Sequence, residues 1–199
     1  MFTKKMLFVL AFSLLLTSTS LFSTGAVYAA DDSASNSSVS TEDTTSEDLS
    51  DDLAEDYADL DPALAAEATQ LLDYLDQLKT IASYEDKAVD TYNSFRYVTS
   101  SNRKKTYAAM NNTVVPNYTK FVVGLKQIKP ETPELAKIHD QYVKAASLQL
   151  QALTLFKKYV STPQLKVATL KQANLKVDAG IKMLKVYRDN MDDYLDKFE

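Results

Sequence analysis

The chain has 199 residues, no cysteine, three glycines and a formal charge of −5 at pH 7. Without cysteine there is no disulfide, thiolate metal site, covalent c-type haem or cysteine nucleophile, so the fold must be held by a hydrophobic core. One histidine and so few glycines argue against a histidine-rich metal centre or a glycine-rich phosphate loop.

Residues 1–29 have the layout of a secretory signal peptide. Lys4 and Lys5 precede an apolar run from Met6 to Leu16, 11 residues long and too short to span a bilayer. A Ser/Thr-rich stretch then ends in Val27-Tyr28-Ala29, which suits cleavage after Ala29. A secreted, extracytoplasmic product is expected, released or associated with the cell wall. The lack of cysteine leaves no lipobox for a lipid anchor.

Residues 30–60 read as a disordered acidic linker. From Asp31 to Asp61 there are 12 Asp/Glu and no Lys or Arg, with Ser and Thr filling most of the rest. Such a stretch buries too little apolar surface to offset the entropy of ordering. It serves as a spacer or as a polyanion that competes for a basic surface.

Residues 61–199 read as four helices, at 62–98, 102–128, 133–160 and 163–197. Asp61-Pro62, Thr132-Pro133 and Thr162-Pro163 each place an N-cap residue before a proline at the first helical position. The first helix carries the stripe Leu64, Ala68, Leu71, Leu75, Leu78, Ala82, Val89 and Tyr92. Ser83-x-x-Asp86 is a weak capping signal, read as a bend rather than a break. The second carries Tyr107, Asn111, Val114, Tyr118, Phe121, Leu125 and Ile128, with a kink expected near Asn112, one turn before Pro116. The third carries Leu135, Ile138, Tyr142, Ala145, Ala152, Phe156 and Tyr159. The fourth carries Leu170, Asn174, Val177, Ile181, Leu184, Arg188, Met191, Leu195 and Phe198. Spacings of three and four mark one buried helix face each. Short connections between long helices favour antiparallel neighbours. The expected fold is all-α, an up-down-up-down antiparallel four-helix bundle of coiled-coil type.

Little in this pattern points to catalysis. His139 lies at the edge of its stripe, and Ala136 stands three residues before it, where a bundle di-iron motif requires Glu. No nucleophile elbow or catalytic triad pattern is present. No enzymatic activity, metal or cofactor is expected. The stripe tyrosines suit a core that keeps hydroxyls at its boundary.

Two constellations stand out. Asn111, Gln149 and Asn174 put polar groups at the same height, roughly 16–18 Å from one end at 1.5 Å per residue. Glu85 on the first helix reaches that height too. These four should form a buried polar layer that fixes register, or the wall of a small ligand pocket. The second constellation is a basic pole. Residues 91–130 contain seven Lys/Arg and residues 141–177 six Lys, with no acid in either span. The two turns at one end collect Arg96, Arg103, Lys104, Lys105, Lys157, Lys158 and Lys166. The far end collects Glu131, Glu134, Asp192, Asp193, Asp196 and Glu199. Lys157 and Lys158 suit a helix C-terminus, but Arg103, Lys104 and Lys105 oppose the dipole at a helix start, which hints at another use.

The stretch Val115-Pro116-Asn117-Tyr118…Leu125…Ile128-Lys129-Pro130-Glu131-Thr132-Pro133-Glu134-Leu135…His139…Tyr142 resembles a pattern in uncharacterised secreted or lipid-anchored helical-bundle proteins of Gram-positive bacteria. The resemblance covers about half of the domain and implies no activity. Expected functions are a non-enzymatic binding or adaptor module at the cell envelope, working through the basic pole, or a carrier of a small ligand at the polar layer. Expected partners are an anionic envelope polymer, a membrane surface or another envelope protein, without specific nucleic-acid recognition.

Overall fold

The computed structural model describes residues 61–198. The signal peptide expected at 1–29 and the acidic linker at 30–60 lie outside the described residues. All regular structure among those described is helical, and the long helices run side by side in a bundle-like domain.

Helix α1 spans Pro62–Phe95 without a break at Ser83. The Asp61 carboxylate accepts the Ala63 N–H at 2.9 Å, and Pro62 occupies the first turn. The helix stops at Phe95, short of the expected residue 98, because Asn102 organises the following turn. Its Oδ1 accepts the Thr99 N–H at 2.8 Å and its Nδ2 donates to the Tyr97 carbonyl at 2.9 Å.

The second rod has three parts: α2 at Arg103–Ala109, a π-helical turn at Met110–Val114 and α3 at Val115–Gln127. The Val115 N–H reaches back five residues to the Met110 carbonyl. Pro116 explains this. It has no N–H for the Asn112 carbonyl and its ring would crowd that carbonyl, so a wider turn relieves both faults. The wide turn holds an extra residue and shifts the upstream face. The buried positions become Thr106, Met110, Val114 and Tyr118. Tyr107 and Asn111, expected on the stripe, face solvent instead.

Helix α4 spans Pro133–Ser161, and Thr132 Oγ1 accepts the Leu135 N–H at 3.1 Å. Helix α5 spans Val167–Leu195 and ends in a 3-10 turn, Asp196–Phe198. Its start corrects the expected boundary at 163. Thr162 is extended and closes α4, and Leu165 sits at φ 39°, a strained angle for leucine. Leu165 is half-buried against the core, so its burial offsets the strain, and the helix begins only beyond it.

Packing is uneven around the domain. α4 and α5 approach most closely. A Cβ on Gly180 would stand 3.1 Å from Gln149 Cγ and 3.3 Å from the Ala145 carbonyl oxygen. A Cβ on Gly124 would stand 2.7 Å from Ile81 Cγ2, so α3 also meets α1 at glycine distance. α1 and α5 are instead joined by long side chains. Tyr74 lies against Tyr187, and Lys197 reaches Glu67 at 3.6 Å. Buried Leu71, Phe121, Leu135, Phe156 and Leu184 fill the interior, each worth roughly 1.5–3 kcal/mol against exposure.

Candidate functional site

The basic residues converge where α2 begins and α4 ends. Arg103 Nη1 donates to the Val160 carbonyl at 2.8 Å, occupying one of the acceptors left free at a helix C-terminus. Lys157 and Lys158 sit within the last turn or so of the same helix, Lys157 half-buried and Lys158 exposed. Lys104 and Lys105 are exposed on the first turn of α2, and exposed Lys166 precedes α5. Arg96 is half-buried at the end of α1, with its guanidinium 5.4 Å from the Tyr97 ring centre. Its buried Nε has no hydrogen-bond partner among the described residues. No ion pair among those residues involves any of the seven; the pairs found are Lys185–Asp189 and Lys197 with Glu67 and Glu134. The Lys197 pairs tie the end of α5 to the starts of α1 and α4.

The structure brings two members of the expected polar layer together and separates a third. Glu85 is 2 % exposed and Gln149 is 1 % exposed. The Tyr118 hydroxyl donates to Gln149 Oε1, and Tyr142 lies beside the Glu85 carboxyl. Burial, reinforced by the neighbouring Asp86, pushes the Glu85 carboxyl up to about 8, against the opposing pull of the Tyr142 hydroxyl. Glu85 Oε1 and Gln149 Nε2 have no hydrogen-bond partner among the described residues. Asn174 is half-buried, and its buried Oδ1 also lacks one. Asn111 lies outside the layer: it is exposed, and its amide donates to Asn112 Oδ1 at 2.9 Å. The π turn accounts for the error, because spacing counted on a regular α-helix puts Asn111 on the wrong side of the rod.

A second buried layer escaped the sequence reading. His139 Nε2 and the Leu125 carbonyl are 2.9 Å apart, and Nδ1 lies 3.1 Å from the Tyr74 hydroxyl. A carbonyl only accepts, so Nε2 carries the proton and Nδ1 accepts from Tyr74. Burial lowers the His139 pKa, opposed first by the Leu125 carbonyl. Tyr142 and Tyr187 stack with ring centres 4.6 Å apart, which continues the tyrosine cluster toward Glu85. Tyr74 could have been found: it lies three residues after Leu71 and four before Leu78, on the buried side of α1.

A surface groove of about 330 Å³ lies between α1 and the connection from α3 to α4, with Gln70, Asp73, Gln77, Lys129 and Glu131 among its lining residues. It does not include any residue of the Glu85 layer. Among the described residues no group of three or more His, Asp or Glu could hold a metal ion, and no helix is long and apolar enough to cross a membrane. No family model, curated protein or solved structure matches the chain.

Proposed function

We propose that the chain is a secreted, non-enzymatic binding or adaptor module of the cell envelope, of the kind found in Gram-positive bacteria, and that it engages an anionic partner through the basic end of an antiparallel up-down-up-down four-helix bundle. The observation that carries this reading is the gathering of exposed lysines, without carboxylate partners among the described residues, around the Arg103–Val160 contact. The Arg103 contact at one end and the Lys197 contacts at the other fit antiparallel neighbours. From Pro62 onward the chain has 20 basic and 15 acidic residues, a net charge of +5, against −12 for residues 31–61. Exposed charges act within about 8 Å at physiological salt, so binding of this kind is salt-sensitive. A second reading, a carrier holding a small ligand at the polar layer, draws support from the partnerless Glu85 Oε1 and Gln149 Nε2. Tyr118 and Tyr142 contact those same two side chains, which favours the first reading.

Co-sedimentation with an anionic polymer and with anionic vesicles tests the proposal. Arg103 is left intact because it holds the Val160 carbonyl. Replacing Lys104, Lys105 and Lys158 by Gln should weaken binding about fivefold for each cation lost. Deleting residues 31–56 should strengthen binding at low salt, because it removes a competing polyanion. Unchanged binding by the triple variant to both partners overturns the reading.

A further inference from the structure

Not all side chains at the basic end are charged. Tyr97 is 67 % exposed in the turn after α1, and Val167 is 49 % exposed as the first residue of α5. Tyr107, one turn into α2, is 37 % exposed. Each sits beside cations in the chain: Tyr97 next to Arg96, Val167 next to Lys166, Tyr107 two residues after Lys105. They come from three separate segments that the Arg103–Val160 contact and the short connections hold at one end. The other exposed large apolar residues, Tyr84, Val123, Leu175 and Val186, lie within the helices and away from the turns at this end.

A soluble polyanion has no use for Val167. Its phosphates would meet lysines and arginines alone, and an apolar side chain in their midst would only interrupt the contact. A bilayer surface has a use for both kinds of residue. Anionic headgroups attract Lys and Arg. Tyrosine places its ring at the headgroup boundary with its hydroxyl in water. Lysine stems lie along apolar surface while their ammonium groups stay among the phosphates. The Arg96 guanidinium over the Tyr97 ring joins a cation and an aromatic in one unit.

We infer that the partner of the basic end is the surface of an anionic lipid bilayer, which Tyr97 and Val167 enter to headgroup depth while Lys104, Lys105, Lys158 and Lys166 contact phosphate. The inference rests on the basic-end reading above and narrows it to one partner. The domain docks end-on by this contact and does not span the bilayer.

The full chain should be tested by sedimentation with phosphatidylglycerol–phosphatidylcholine vesicles, with pure phosphatidylcholine vesicles and with long-chain polyphosphate, at 0.1 M and 1 M salt. At 1 M salt screening acts within about 3 Å. Binding to both partners should then fall, because the lysine contacts carry most of the attraction in each case. The double variant Tyr97→Ser, Val167→Ser should bind anionic vesicles about tenfold more weakly, the effect of withdrawing roughly 60 Å² of apolar surface. Its polyphosphate binding should match the parent. Both positions are exposed, and unfolding curves matching the parent will confirm that the variant is folded. Vesicle binding by the double variant equal to the parent overturns the lipid inference and leaves the basic end as a site for soluble polyanions. Failure of the Lys104, Lys105 and Lys158 replacements to weaken either partner overturns the underlying reading as well.

Discussion

The His139 layer and the Glu85 layer cross the same core and meet the problem of burial differently. His139 is flanked by a donor and an acceptor whose positions match its neutral form, so both ring nitrogens are satisfied. Glu85 is equally buried, yet one carboxyl oxygen and the nearby Gln149 amide nitrogen have no partner among the described residues. No cation appears among the groups that shift Glu85. A buried carboxyl without a cation stays protonated rather than charged. Both layers therefore tie stability to pH, in opposite directions, but only in the His139 layer are both polar atoms of the titrating side chain paired.

The largest expected effect tests that link. The Glu85 pKa rises from its ordinary 4.5 to about 8 on folding, so the folded state binds this proton more tightly than the unfolded chain. The ionisation penalty is absent below pH 4.5, and stability is progressively lost as pH climbs to 8, by up to about 5 kcal/mol. Glu85→Gln should flatten this loss. Urea unfolding of parent and variant at pH 5 and pH 8.5 measures it, and equal pH dependence in the two would refute the assignment. His139 acts at the other side. Its folded pKa is lowered, so its contribution is present above 6.5 and lost as pH falls toward the folded value. As pH falls below 6.5 the two groups therefore pull stability in opposite directions.

A smaller effect probes the His139 layer. Tyr74→Phe removes the donor to His139 Nδ1 and leaves a buried acceptor unmatched, costing about 1–3 kcal/mol. Tyr74→Phe should also raise the His139 pKa, because the lost bond favoured the neutral ring; an NMR titration of the imidazole reads this directly. A smaller cost for Tyr74→Phe than for Tyr118→Phe would show that the two layers do not differ in pairing as described.

The smallest effect is expected at Asn111. This side chain is exposed, so Asn111→Leu should change stability by no more than about 0.5 kcal/mol. A thermal shift well beyond that would return Asn111 to the buried layer and remove the π turn as the cause of its displacement.

The layers also show what could be read from residues alone. Glu85 and Gln149 were legible as polar residues at buried helical spacing, because counting along a regular helix works where the helix is regular. Asn111 was misplaced because Pro116 forces a wide turn and rotates everything upstream of it. Tyr74 and His139 were missed as a pair because they are 65 residues apart and meet only across the packed helices. The basic residues were legible as a composition, but the bond from Arg103 to Val160 was not.

By itself the sequence determined the all-helical class, the starts of α1 and α4 and the segregation of charge. These follow from capping residues, prolines and periodicity, which act within a few residues of chain. Tertiary structure decided the rest. It moved the start of α5 to Val167, because burying Leu165 outweighs the capping preference of Thr162-Pro163. It also decided which polar groups find partners, because a hydrogen bond between helices depends on distances that no local pattern contains.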